Sequence, residues 1–314
     1  MHAKPRILVI RGGAIGDFIL TLPAVGLLRE NFPDAQLEIL GYEHIVALAH
    51  RRFYADAIRS IEYSAMAGFF VPNSNLAPDL AEYFASFQQV VSYLFDPDGF
   101  FEANLRRVGV KNFLPAYVKI DDSQHAARQL ARPLERLALF LDDHAARIHP
   151  AEEDRAFARE FLGASSRPVI AVHPGSGSAR KNWQMENWAA LGRWLMTHEA
   201  HPRLLLVGGE ADGPQFSALA AAWPDADLLT ARDFALPQLA AILECCRLFL
   251  GHDSGISHLA AAVGTPCTLL FGPTDPAVWA PANEGVAILQ APDNDLAGLP
   301  VAVVQEAVAA RLRT

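Results

Sequence analysis

Two short stretches of this chain hold residue types that bind anions and move protons. In GHDSGISHLAAAVG (251–264) an apolar run ends in Asp253, Ser254 and Gly255, and His258 follows one turn into an alanine-rich helix. Ser254 or Asp253 suits the N-cap, because a short oxygen-bearing side chain can accept a first-turn amide. The amides of Gly255, Ile256 and Ser257 would then face whatever occupies the helix mouth, the arrangement by which helix amino ends hold phosphate. Gly255 admits close approach of a ligand to the backbone, and His258 is placed to donate to a phosphate oxygen or approach a nearby sugar. Taken alone, this turn reads more simply as a capped helix with His258 on a core edge. A second turn in the same half weighs against that: HPGSGSARKNW (173–183) offers Ser176, Gly177 and Ser178, with Arg180 and Lys181 next. Two such turns at strand ends of one sheet suit a diphosphate. In VGGEADG (207–213), Glu210 is either an acceptor for ribose hydroxyls or a solvated turn residue.

The first half opens on VIRGGAIGDFILTLPA (9–24), which approaches the dinucleotide fingerprint G-x-G-x-x-G. Gly13 and Gly16 fill its later positions, but Arg11 stands where the first glycine belongs, and Glu43 fits the acidic position only loosely. A nicotinamide enzyme is disfavoured. Asp17 follows Gly16 at the helix mouth, as a cap, a dipole partner or a base. The helix amino end favours its carboxylate form, which can take a hydroxyl proton late, as that oxygen bonds to an electrophilic carbon. Other chemistries fail on spacing: no Ser or Thr follows Lys181 as a P-loop needs, and His252-Asp253 breaks a G-x-S-x-G elbow at Ser254. His252, Asp253 and His258 lack an H-E-x-x-H or cysteine partner set, so no metal is expected.

These residues need a scaffold that presents strand ends, and the rest of the chain predicts one. Apolar runs at 6–10, 37–41, 57–63, 88–95, 168–172, 203–209, 227–231, 247–251 and 267–272 alternate with helical patterns. That rhythm predicts an α/β protein with parallel sheets covered on both faces. The theme restarts at 168, predicting two Rossmann-like domains over 1–150 and 151–300, a hinge near 142–167, and a last amphipathic helix over 301–314 packing back on the first domain. In HAARQLARPLERLALFL (125–141) one helix is expected, with Arg128, Arg132 and Arg136 on one face. That stripe suits a phosphorylated glycolipid or a membrane surface, or is a solvated charged face. With 314 residues, a net charge of −9 and 51% hydrophobic content, bulk attraction to nucleic acid is excluded and any anionic ligand needs local cations. Three cysteines without a C-x-x-C fit a reducing, cytoplasmic compartment, and neither a signal peptide nor a membrane span is expected.

At these residues the chain resembles glycosyltransferase family 9, the ADP-heptose:lipopolysaccharide heptosyltransferases. ILVIRGGAIGDFILTLPAVGLLRENFPDAQLEIL resembles the family's opening, and HPGSGSARKNWQMENWAAL with GHDSGISHLAAAVGTPCTLLFGPTDPAVWAP its donor-binding half. The resemblance implies a GT-B fold, two Rossmann-like domains with parallel sheets facing across a cleft, and inverting, metal-independent transfer from a nucleotide sugar with no cofactor. It implies Asp17 as catalytic base and Lys181 as the cation that neutralises the donor phosphates. Ser176, Gly177, Ser178, Glu210, Asp253, Ser254, Gly255 and His258 would make up the donor site, and Arg11, Gly13 and Gly16 the acceptor side. The implied partners are ADP-heptose and a glycolipid or oligosaccharide acceptor of the lipopolysaccharide core, with peripheral association at the cytoplasmic face of the inner membrane. SYLFDPDGFFEANLRRVGVKNF (92–113) departs from the family's D-L-Q-G-like stretch on the acceptor side. That departure leaves open a different nucleotide sugar and glycan, or a sugar-nucleotide-binding protein that has lost catalysis.

Overall fold

The computed structural model describes residues 4–209, 213–224 and 227–313, and the chain divides into two compact units, Met1–His144 and Ala145–Thr314. In the first, β1 (Arg6–Arg11), β2 (Gln36–Gly41), β3 (Ala57–Ser60), β4 (Gln89–Ser92) and β5 (Phe113–Pro115) form one sheet in the order β3-β2-β1-β4-β5. Every pairing is parallel. Ile7, Leu8, Val9 and Ile10 are all buried, which is why β1 reads as a continuous apolar run and not as an alternating one. Leu8 and Ile10 join Phe69, Phe84, Phe101 and Leu105 in one core cluster. The helix Ile15–Asn31 follows β1, and its apolar residues recur all round, as a helix buried along most of its length requires. Strand order reverses between β1 and β4, where Ile10 sits opposite Ser92.

The second unit repeats the plan with six strands: β6 (Val169–Val172), β7 (Arg203–Gly208), β8 (Leu228–Arg232), β9 (Leu248–His252), β10 (Cys267–Phe271) and β11 (Val286–Gln290). They run β11-β10-β9-β6-β7-β8, all parallel, the doubly wound order of dinucleotide-binding domains. Here the order reverses between β6 and β9. In such sheets ligands occupy the crevice outside the strand carboxyl ends at the reversal point. The loops leaving β6 and β9 are the two anion-friendly turns of the sequence.

The predicted class, α/β with two Rossmann-like parallel sheets, is the class observed. Several elements differ. The single helix expected over 125–141 is a short α-helix, Ala126–Ala131, followed by a tighter 3-10 segment, Arg132–Leu137, closed by Ala138 at φ 58°. Pro133 removes a helical amide donor and forces the change. Arg128 and Arg132 still line one hollow with Gln124 and Glu135, but at three residues per turn instead of 3.6 the step to Arg136 leaves their stripe. The last helix, Val301–Arg313, places Val304 and Val308 in the core of the second unit with Trp183, Trp188 and Leu191. Strands β5 and β11 were not expected: β5 is three residues long and ends in a proline, and β11 lies half-buried at the sheet edge.

Candidate functional site

In the second unit, the polar residues at the ends of β6, β9 and β10 form one hydrogen-bonded cluster. Lys181 Nζ donates to Asp253 Oδ2 at 2.6 Å, and Thr274 Oγ1 donates to the same oxygen at 2.7 Å. The Asp253 side chain is only 10% exposed and Lys181 32%, so the ammonium keeps an open side while its partner is held below it. Ser254 is the N-cap of the helix Gly255–Ala262, its Oγ accepting the Ser257 amide at 3.3 Å. Asp253, the alternative cap, is committed to Lys181 and Thr274 instead. With Ser257 satisfied, Gly255 and Ile256 remain as first-turn amides that lack intrahelical acceptors. His258 is buried one turn further on. The structure therefore gathers a cation, a helix amino end and a hydroxyl at the reversal point of the sheet, a set suited to an anion with two charged groups.

The glycine-rich loop is anchored from beneath by His252. This side chain is fully buried; its Nε2 accepts the Trp183 amide at 2.8 Å and its Nδ1 lies 3.4 Å from the Gly175 carbonyl. An imidazole that accepts at Nε2 carries its proton on Nδ1, so the ring is the neutral Nδ1–H tautomer. Trp188 packs edge-on against it at 5.2 Å. Ser176 Oγ lies 2.6 Å from Asn182 Oδ1 and 2.8 Å from the Ser178 carbonyl, which pins the loop from within. Replacing His252 by Ala is expected to cost about 2–4 kcal/mol, from the cavity and the orphaned Trp183 amide, measured by denaturant unfolding. Burial, and secondarily the neighbouring His173, push the His252 pKa down from 6.5 to about 3. Between those values the unfolded chain binds a proton that the folded one refuses, so this contribution is full above about pH 6.5 and is lost as pH falls toward 3. A His252→Gln variant should show a shallower loss of stability across that window.

In the first unit, β1 ends in Arg11 and the chain turns through Gly12 and Gly13 into the helix Ile15–Asn31. Gly13 adopts φ +101°, and a Cβ there would stand 2.9 Å from Asp17 Oδ2, so only glycine fits. Asp17 is the third helical residue, and its Oδ2 accepts the Ala14 amide at 3.0 Å, the reciprocal half of a capping box. Its carboxylate remains 44% exposed. Arg11 underlies it: Nη2 donates to the Asp17 carbonyl at 3.2 Å and lies 3.7 Å from Oδ1, while Nε donates to Thr21 Oγ1 at 3.0 Å. Burial pushes the Arg11 pKa down, and Asp17, Tyr93 and Tyr117 pull it back up. The result is an exposed carboxylate held rigidly at the reversal point of the first sheet.

Of the expected site residues, Ser176, Ser178, Lys181, Asp253, Ser254, Gly255 and His258 gather at the strand ends of the second unit, with Gly177 on the exposed tip of the loop. Arg11, Gly13, Gly16 and Asp17 gather in the first. Glu210 lies outside the described residues. Sequence reasoning missed Thr274, which follows β10 in FGPTDP, the strand end next to that of β9. It also missed His173, whose Nδ1 lies 3.4 Å from Ser254 Oγ, and the anchoring role of His252. Among the described residues, no three His, Cys, Asp or Glu side chains form a group that could hold a metal ion, and no helix is long and apolar enough to cross a membrane.

The chain is similar to known proteins in sequence and in fold. Residues 118–298 match the family model described as glycosyltransferase family 9 (heptosyltransferase). Lipopolysaccharide heptosyltransferase 3 of Escherichia coli K12 is 26% identical over 298 residues, covering 86% of this chain and 83% of its own length. A family 9 glycosyl transferase from Veillonella parvula superposes with a TM-score of 0.83 at 20% identity, covering 100% of this chain and 99% of that one. The E. coli heptosyltransferase WaaC, solved with ADP-2-deoxy-2-fluoro heptose, superposes with a TM-score of 0.70 at 19% identity, covering 97% and 99% of the two chains.

Proposed function

The chain belongs to glycosyltransferase family 9, and from that membership we propose that it moves a heptose from ADP-heptose to a sugar of a lipopolysaccharide core. Four kinds of support converge: the family match, the E. coli relative that is a lipopolysaccharide heptosyltransferase, the fold shared with a transferase solved with an ADP-heptose analogue, and the chemistry of the strand-end residues. The observation that carries the reading is Lys181 on Asp253 beside the amino end of the Gly255 helix. A departing nucleoside diphosphate gains negative charge on its terminal phosphate. A preorganised ammonium and first-turn amides stabilise that charge without reorganisation, doing the work a divalent cation does elsewhere. Ser176, Ser178 and His258 line the same strand ends and would contact the diphosphate and its sugar, and Glu210 is assigned to the ribose.

The chemical step follows from these assignments. The acceptor hydroxyl oxygen forms a bond to the anomeric carbon, and the bond from that carbon to the phosphate oxygen breaks, its electron pair leaving with the diphosphate. The hydroxyl proton passes to the carboxylate of Asp17. A single displacement inverts the anomeric centre. Arg11, Gly13 and Gly16 shape the acceptor side, and the reaction would run at the cytoplasmic face of the inner membrane, where such an acceptor is found. The test incubates the purified protein with ADP-heptose and truncated lipopolysaccharide extracted from cells deleted for this gene, with UDP- and GDP-sugars in parallel. Release of ADP and addition of one heptosyl mass to the acceptor is the expected result. Preference for a UDP- or GDP-sugar would replace the heptose assignment, and tight nucleotide binding without transfer would leave a binding protein.

A further inference from the structure

Two large aromatic side chains stand exposed at the reversal point of the first sheet, and the reaction described above has no use for them. Phe95 is 63% exposed and Tyr117 45%, and their ring centroids lie 4.9 Å apart at an interplanar angle of 52°. Single exposed aromatics are ordinary. What distinguishes this pair is the rigidity of the backbone that carries it. Phe95 follows β4: the Tyr93 amide donates to the Ile10 carbonyl at 2.9 Å, and the Leu94 amide to Ser92 Oγ at 3.3 Å. On its other side, Asp96 accepts the amides of Phe101 and Glu102 at 3.1 and 3.0 Å, clamping the next loop to the start of the helix Phe100–Arg107. Tyr117 follows β5, where the Ala116 amide donates to the Ser92 carbonyl at 2.7 Å and the Ala116 side chain is fully buried. Both rings are thus held out by fixed stems.

The stems also set the place. β4 neighbours β1 across the reversal point, and a Cβ built on Gly12 would touch Leu94 at 3.5 Å. Phe95 is therefore one residue from contact with the turn that leads to Asp17, and Tyr117 lies within electrostatic reach of Arg11. We propose that Phe95 and Tyr117 form the platform on which the acceptor sugar stacks, presenting its hydroxyl to Asp17. A pyranose has a face of C–H bonds and a rim of hydroxyls. The C–H face is the part an electron-rich ring surface attracts, while the rim stays free for a base and for Arg11.

This inference rests on the transferase reading, and its test separates the two. Initial rates are measured against the concentration of truncated lipopolysaccharide for the wild type, Phe95→Ala, Tyr117→Ala and Phe95→Trp, with ADP affinity measured on each protein. The alanine variants should raise the acceptor KM about tenfold, the scale of one lost aromatic contact, with ADP affinity and donor KM as in the wild type. Phe95→Trp, which restores a larger ring face, should return the KM toward the wild-type value. Acceptor KM unmoved by Phe95→Ala, or donor KM rising with it, would overturn the platform while leaving the transferase reading intact. A wild-type protein that transfers nothing would overturn that reading instead, and acceptor binding by the same four proteins, read by calorimetry, would still decide the platform.

Discussion

Asp17→Asn is expected to lower the rate of glycosyl transfer about 10²–10⁴-fold while leaving ADP affinity at the wild-type level. The substitution isolates one property. Asparagine has the same shape, and its carbonyl oxygen can still accept the Ala14 amide that Asp17 Oδ2 accepts at 3.0 Å, so the start of the helix is kept. The interaction of Arg11 with the Asp17 carbonyl at 3.2 Å and with Thr21 Oγ1 at 3.0 Å does not involve the carboxylate and also survives. What disappears is the carboxylate charge, and with it the 3.7 Å ion pair to Arg11 and the group able to take a proton as the acceptor oxygen becomes acidic. Asp17→Ala is the less informative change, because it also removes the half capping box, worth about 0.5–2 kcal/mol. Single-turnover rates with ADP-heptose, paired with calorimetric ADP binding, make the measurement. Normal turnover by Asp17→Asn would end the assignment of the base.

How far this could be read from the sequence depended on the range of the interaction involved. Parallel strands buried on both faces announce themselves as apolar runs, so β1, β2, β6, β7, β9 and β10 were legible, as was the restart that produces a second unit. Short edge strands were not: β5 needs only three residues, and β11 is partly exposed, so neither carries a strong apolar signature. Pro133 was visible in the sequence, yet its conversion of one expected helix into an α and a 3-10 segment was not taken from it. The site shows the same division. Asp17 and the Ser254 cap are local, set by residues three or four apart. The tie between Lys181 and Asp253 spans 72 positions, and that between Trp183 and His252 spans 69. Such pairs follow from strand order, which a single sequence does not state. The adjacency of β6 and β9 converts two separate turns into one cluster, and the adjacency of β9 and β10 adds Thr274.

Lys181→Ala tests that cluster, and it is expected to reduce kcat about 10²–10³-fold and raise the donor KM. Two consequences of the geometry add up here. First, the ammonium is a charged group at the helix mouth with an open side, so its loss would leave the departing diphosphate to amide, hydroxyl and imidazole donors. Second, Asp253 is left with the Thr274 hydroxyl and no ammonium, a carboxylate 10% exposed beside the place where the donor's own negative charge would settle. That repulsion would raise the donor KM even if the ammonium contributed nothing to the chemical step. Asp253→Asn separates the two effects, because it removes the carboxylate charge while keeping an acceptor for Thr274. In the Lys181→Ala background, Asp253→Asn should recover donor affinity but not kcat. The coupling between the two sites should be strong, as expected of groups in direct contact. Lys181→Arg should recover only part of the rate, since a planar fork does not occupy the position of a compact ammonium. If Lys181→Ala keeps both kcat and donor KM, neither the ammonium nor its neutralisation of Asp253 acts on the donor, and the assignment of Lys181 to the diphosphate falls.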